Sequence, residues 1–281
     1  MDQVLTYALL KSRALIAVSG PDWRGFLQGL ITQDVETLRT GEARFGALLT
    51  PQGRLHYDLF VVGRDDGCWL DVLAEHRAAI IQRLTMYRLR AKVEIAVSDM
   101  AVSALFPADP RESGDPGFLS GFVRDPRLPA LGWRGYDGQP PPGALVSDEA
   151  ARDAANLELG VPGPADWGSD KTYPIEANFD FLNGIDFHKG CYVGQETTSR
   201  MKRRGQIKSR MLPIAFEGPP PAPGAEILAG DLRAGEVLSV GQGRAMALMR
   251  LDRAEGAVLT VDGRPVTLER PGWFAQATQA A

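Results

Sequence analysis

Cysteine and histidine are scarce: Cys68 and Cys191, with His56, His76 and His188, are all that 281 residues provide. Two cysteines in unlike contexts make no disulfide framework. His56 and His76 stand at no metal-ligand spacing from each other or from a cysteine, so no stable metal is expected. A long apolar run is missing too, since nothing approaches the roughly 20 residues that a membrane helix needs. The N-terminus has an acid at Asp2, and its apolar runs are broken by Lys11 and Arg13, unlike a secretory signal or a transit peptide. Positive charge is not in excess: the net charge is −4, which argues against a nucleic-acid-coating protein. No GxGxxG, P-loop or nucleophile elbow occurs, so nucleotide-dependent chemistry lacks its usual signature. These absences lead to the expectation of a soluble protein of a reducing cytoplasm, with neither membrane nor nucleic acid as a direct partner.

What is present is an ordinary globular composition, 44% hydrophobic and 23% charged, on a chain long enough for two domains or three small ones. The stretch "SRALIAVSG" reads as a strand. "PDWRGFLQGLITQDV" reads as the helix after it, with Pro21 suited to a first turn and Asp22 to the positive end of the dipole. "GALLTPQGRLHYDLFVVGRDDGCWLDVLA" contains three β-type runs, separated by turn signals at Pro51-Gln52-Gly53 and Asp65-Asp66-Gly67. "EHRAAIIQRLTMYRLRA" carries Ile80, Ile81, Leu84 and Tyr87 at helical spacing, with Arg88 and Arg90 in its last turn, and "KVEIAVSDM" returns as a strand. This order predicts an α+β lobe of the ferredoxin-like, split βαβ type.

Between Pro107 and Pro142 proline and glycine accumulate, as in "GQPPPG", and long loops are expected. A short helix follows, with Ser147 as N-cap, Asp148 and Glu149 in its first turn, and Gly160 and Pro162 beyond its end. Glu158 in its last turn opposes the helix dipole, a type of local violation that function sometimes explains. After the linker "EGPPPAPGAE", five short β-type runs with turn residues between them predict a small C-terminal β-barrel or sandwich. The expected organisation is an α+β lobe over 1–105, a second α+β lobe over 106–205 that is free to interleave with the first, and a barrel over 206–281.

Charge changes sign abruptly along the chain. From Asp166 to Asp186 it carries Asp166, Asp170, Glu176, Asp180 and Asp186 against Lys171; from Lys189 to Arg210 it carries Lys189, Arg200, Lys202, Arg203, Arg204, Lys208 and Arg210 against Glu196. Cys191, in "FHKGCYVGQETTSRMKRRG", sits just past the flip. The thiolate is the reactive and metal-binding form of cysteine, and cations favour it; Lys189, Arg200, Lys202 and Arg203 are the candidates, with His188 three residues before the thiol. Gly190 and Gly194 allow a tight turn with the backbone close to a ligand. By its neighbours alone, Cys191 is either a reactive thiol or a half-buried loop cysteine beside a solvated basic face. Cys68, next to Trp69 on an expected strand, reads as a small core residue.

The segment "KGCYVGQE" followed by Arg200 resembles the signature of the YgfZ family. These are folate-binding proteins that support iron–sulfur cluster assembly or repair and are related to the aminomethyltransferase, or T-protein, of the glycine cleavage system. Lys189, Gly190, Cys191, Gly194, Gln195, Glu196 and Arg200 all stand in register with that signature. "GPDWRGFLQGLITQDV", "LLTPQGRLHYDLFVV", "RDAANLELGVPGP" and "GDLRAGEVLSVGQGRAMALMRLD" are similar to further family segments, so the resemblance covers nearly the whole chain. It implies three domains around a central opening that binds tetrahydrofolate or a one-carbon derivative. Asp58, in "YDLFV", matches the strand aspartate that the transferase relatives use near the folate's reactive nitrogens. Glu158, in "LELG", matches the glutamate that holds the pterin ring, and Gln195, Glu196 and Arg200 join it as expected folate-side residues. Cys191, Lys189 and Asp58 form the expected reactive set. A carboxylate can accept two hydrogen bonds from a pterin's ring N–H and amino group. Strand alternation sets Asp58 on the face of His56, Phe60 and Val62, where partial burial would suit it to accept a proton.

The transferases lack a KGCYxGQE segment, so a folate pocket with an added cysteine implies a changed task. The implied task is support of iron–sulfur enzymes, some of which modify tRNA. Cys191 would act transiently on a partner's cluster, a mixed disulfide or a folate-linked one-carbon species. Complete cluster ligation normally takes four thiolates, more than this chain offers. Two other readings stand beside it: a folate-dependent one-carbon transferase or demethylase with Asp58 as acid and base, and a non-catalytic module whose basic edge, at Arg203 and Arg204, docks a cluster enzyme. "RMKRRGQIK" has none of the interleaved aromatics of an RNA binder, so a solvated edge, an anchor for a polyglutamylated folate tail or a docking face for an acidic partner is preferred. The expected partners are folate and iron–sulfur proteins or their assembly machinery.

Overall fold

The structure is a computed structural model and describes residues 4–110, 119–205 and 207–280. The chain begins with β1 (Leu5–Leu9), β2 (Arg13–Ser19), α1 (Trp23–Gln28), β3 (Ala43–Leu49), β4 (Leu55–Arg64), β5 (Gly67–Leu73), α2 (Arg77–Arg88) and β6 (Glu94–Ser98). Strands β2 to β6 form an antiparallel sheet in the order β3-β4-β5-β2-β6, the split βαβ arrangement with β3 added at one edge. Alternation along β4 gives its two faces different neighbours. Leu59 and Val61 pack with Ile16, Leu70, Ile80 and Leu84 beneath the helices, each contributing about 1.5–3 kcal/mol by burial. Asp58 and Phe60 therefore point the other way.

A second sheet lies on that other side. β7 (Ser103–Pro107), β8 (Phe122–Arg124), β9 (Trp133–Gly135) and β10 (Leu145–Ser147) combine with β1 in the order β10-β1-β7-β9-β8, antiparallel apart from the β1–β10 pair. β1 thus leaves the range expected for the first lobe and joins the second. Its central residues Thr6, Tyr7 and Ala8 are buried, so its backbone groups need strand neighbours on both edges. Side-chain alternation does not say which strands supply them. The proline- and glycine-rich region expected as loops also contributes β8 and β9; residues 111–118 within it lie outside the described residues.

The chain continues with α3 (Glu149–Glu158), α4 (Pro164–Trp167) and α5 (Gln195–Arg204) into β11 (Ser209–Phe216), β12 (Glu226–Ala229), β13 (Leu232–Val240), β14 (Arg244–Arg250), α6 (Leu251–Ala254), β15 (Leu259–Val261) and β16 (Arg264–Leu268). These last six strands close into a barrel in the order β11-β14-β13-β12-β15-β16, which removes exposed strand edges, and α7 (Gly272–Ala280) follows. Two helix boundaries differ from expectation. The helix read over 21–35 stops at Gln28, where Gly29 follows and the next carbonyls turn toward Lys189. The N-cap of α3 is Asp148, whose Oδ1 accepts the Ala151 N–H at 3.0 Å, while Ser147 ends β10.

The contact between the two sheets is ionic as well as apolar. Asp71 on β5 accepts from Arg13 Nε at 2.7 Å and Arg134 Nε at 2.9 Å, and Arg13 Nη1 reaches on to Asp58 at 2.8 Å. Asp125, just after β8, accepts from Arg127 Nη2 at 2.7 Å and from Arg152 Nη2 of α3 at 3.3 Å. The Phe60 ring packs among these cations, with the Arg134 guanidinium 3.9 Å from its centre. Burial alone would raise the Asp125 carboxyl, but Arg127, Arg152 and Arg134 outweigh it and bring it down to about 2.

Candidate functional site

β4, α3, α4 and the β13–β14 corner enclose a cavity of about 940 Å³, so all three domains contribute to one opening. Its polar lining is acidic: Asp58, Glu75, Glu149, Asp153 and Asp166 face it with His56 and His76, and no lysine or arginine does among the described residues. Burial pushes the Asp153 and Asp166 carboxyls up, Asp153 further because Glu149 is near. Asp166 is nevertheless well held, accepting from the Gly163 N–H at 2.7 Å and from Ser239 Oγ at 2.5 Å. His56 Nδ1 sits 2.6 Å from Asp170 Oδ1. A lining of this chemistry accepts hydrogen bonds and suits a ligand rich in N–H donors.

The expected site residues divide sharply against this cavity. Asp58 lines it, and its other oxygen environment is set by Arg13 behind it. Glu158 does not: as the last residue of α3 it pairs with Arg244 Nη1, and Arg244 Nε pairs in turn with Glu269 at 2.7 Å. The acid that opposes the α3 dipole is thus matched by a barrel cation. Gln195, half-buried, and Glu196 and Arg200, both exposed, are also absent from the lining, as are Lys189 and Cys191. Sequence reasoning missed Asp153 and Asp166. Asp153 had a readable signal, four residues before Leu157 on the same helical face.

The signature segment is a second, separate feature. Asp186 Oδ1 accepts from the N–H of His188 at 2.7 Å and of Lys189 at 3.1 Å, which bends the chain back. Lys189 Nζ then donates to the carbonyls of Gln28 and Ile31 at 2.8 Å and of Gln33 at 2.9 Å, binding the loop to the end of α1. Burial pulls its ammonium down to about 8 against the opposite pull of Asp34, Asp186 and Glu36. Tyr192 is buried in the core with Phe45, Leu49 and Leu55, and burial pushes its phenol up to about 12. Between these two anchors Cys191 is exposed. Gly194, at φ +83, meets Gly53 of the β3–β4 turn so closely that a Cβ on it would lie 2.6 Å from Thr50 O. That contact also places α5, expected with the second lobe, on the hairpin of the first.

Cys68 is buried in the core beneath α1 and α2, and burial pushes its thiol up. Among the described residues no three His, Cys, Asp or Glu side chains are grouped to hold a metal ion, and no helix is long and apolar enough to cross a membrane.

Comparison with known proteins fits this architecture. Residues 208–276 match the family described as CAF17, C-terminal beta-barrel domain. The mitochondrial iron–sulfur cluster assembly factor IBA57 of Homo sapiens is 31% identical over 302 residues, covering 94% of this chain and 84% of that protein. The Mus musculus protein of the same name is 30% identical, covering 96% and 86%. A Neurospora crassa homologue is 34% identical over 75% of this chain, which spans about half of that longer protein, 54%. Among solved structures, the glycine cleavage system aminomethyltransferase T from Bartonella henselae shares the fold, with a TM-score of 0.76, 18% identity, and 96% of this chain and 86% of that one covered. The expectation of a cytoplasmic protein is corrected by the relatives, which are named as mitochondrial. Aligned over nearly its whole length at this identity, the chain belongs to the IBA57 family of iron–sulfur cluster assembly factors.

Proposed function

We propose that this chain binds the pterin head of a tetrahydrofolate, as a YgfZ-type protein would, and uses Cys191, outside that cavity, on an iron–sulfur cluster carried by a partner protein. The observation that carries the reading is the separation of an acceptor-lined cavity from an exposed thiol on a doubly anchored loop. The ring N–H and amino donors of a pterin match carboxylate acceptors, and the cavity has the size of a cofactor site. Asp58, Asp153 and Asp166 would hold the ring, and the bound folate would supply a one-carbon carrier there. Glu158, turned to Arg244, is a poor candidate for that role. With no lysine or arginine in the lining among the described residues, the anionic glutamate tail is expected to leave the cavity. One exposed thiol supplies one of the four ligands a cluster needs, so the cluster is the partner's cargo. Asp58 Oδ2 pairs with Arg13 at 2.8 Å, which leaves Oδ1 to accept from a donor of the ring.

Calorimetric titration with tetrahydrofolate tests the pocket. Asp58→Asn is expected to weaken binding about tenfold or more and Glu158→Ala less than about threefold, with thermal melts confirming that both fold. Cys191→Ser should bind folate normally yet fail to restore cluster-dependent enzymes in a strain lacking the protein. A folded wild type without saturable binding would remove the folate half of the reading, and full restoration by Cys191→Ser would remove the other.

A further inference from the structure

The end of α2 is an unusual surface beside the signature loop. Met86, Tyr87 and Leu89 are 62%, 39% and 88% exposed, and Leu89 sits at φ 44, ψ −105, a conformation that a bulky residue rarely adopts. The amphipathic pattern takes in Tyr87 with Ile80 and Leu84 but does not account for Met86 and Leu89. From Arg77 to Val93 the chain carries Arg77, Arg83, Arg88, Arg90 and Lys92 and no acid, although its net charge is −4. Arg88 and Arg90 are exposed. This end of the helix lies beside the signature loop, since Arg83 and Tyr87 line a narrow crevice with Leu49 and Val193, and Val193 is two residues from Cys191. α5 starts just after the loop and adds exposed Arg200, Lys202 and Arg203 against one exposed acid, Glu196.

We propose that the C-terminal end of α2, with Val193, is the docking surface for an acidic protein that presents its cluster to Cys191; this rests on the reading of Cys191 given above. Exposed apolar anchors beside a cluster of cations are the composition of a specific interface, and the local positive excess would steer a negatively charged partner to the thiol. A membrane fits less well. Interfacial helices present a long apolar face, whereas that face of α2 is spent in the core and leaves a blunt tip.

A photo-crosslinking residue in place of Met86, introduced in cells, tests this. The captured protein is identified by mass, purified, and titrated against wild type, Arg88→Glu/Arg90→Glu and Leu89→Ser. The expected result is an acidic protein whose binding falls about tenfold or more in each variant, and for wild type falls as salt rises from about 50 to about 300 mM. Tetrahydrofolate affinity and melting temperature should be unchanged in both variants. Capture of only a second copy of this chain, capture of nothing, or equal binding by the variants overturns the proposal. So does binding to phosphatidylglycerol vesicles that the variants lose in place of protein binding. If the α2 variants restore cluster enzymes fully while Cys191→Ser does not, the docking surface falls and the thiol's role stands. If Cys191→Ser also restores them, the functional reading itself falls.

Discussion

Lys189 was expected beside the thiol as an activating charge, and its ammonium is instead spent on three main-chain carbonyls. Its task is to hold the loop that displays Cys191. Lys189→Met is expected to destabilise the protein by about 1–3 kcal/mol through buried acceptors left unsatisfied, read as a lower urea midpoint. The same residue gives a pH signature. The native ammonium releases its proton near 8, whereas the unfolded one keeps it to about 10.5. In that window the unfolded chain binds more protons, so wild-type stability relative to Lys189→Met should climb as pH rises from 8 to 10.5. A flat difference between the two melting curves across that range would show that the lysine is hydrated in the native state. Cys191 was legible because a reactive side chain has a type and a neighbourhood in the sequence. The clamp was not, because Gln28, Ile31 and Gln33 contribute only backbone oxygen, which every residue possesses.

At the scale of elements, the two glycines of the signature have different reasons to be there. Gly194 is left-handed and pressed on the β3–β4 turn, while a Cβ at Gly190 would meet nothing within 4 Å. Gly194→Ala is therefore expected to cost about 1 kcal/mol or more and to loosen α5 from the hairpin. Gly190→Ala should leave stability within about 0.5 kcal/mol of wild type. Hydrogen exchange across residues 46–55 and 192–200 would read the difference, and equal protection in both variants would show that the contact does not brace the loop. Sequence pattern located the hairpins of the first sheet and the barrel strands well, because Gly and Pro mark their ends and alternation fills their middles. It overran α1, whose later apolar residues Leu30 and Ile31 continue a helical pattern while their backbone has already left the helix. It also lost β8 and β9, three residues each, which are too short to show a period among prolines.

For the molecule as a whole, the buried ion network decides how the lobes hold together. Arg13, Asp58, Asp71, Asp125, Arg134 and Arg152 come from β2, β4, β5, the turn after β8, β9 and α3, and no local pattern announces that they meet. Asp71→Asn should cost about 3–5 kcal/mol, since it strips charge from beneath Arg13 and Arg134 at once, and would be measured as a lower urea midpoint. The contribution of Asp125 should persist at all pH values above its ordinary 3.8 and vanish only as pH falls toward about 2. Acid unfolding of Asp125→Asn should then be shifted least at the lowest pH. The position of β1 has a further consequence, for synthesis. It leaves the ribosome well before its partners, since the antiparallel one, β7, begins at Ser103 and the parallel one, β10, at Leu145. At roughly 5–20 residues per second the nascent strand waits several seconds, edges bare, for a sheet that does not yet exist. Slowing translation before Ser103 should therefore lower the yield of folded protein more than slowing it after Ser147.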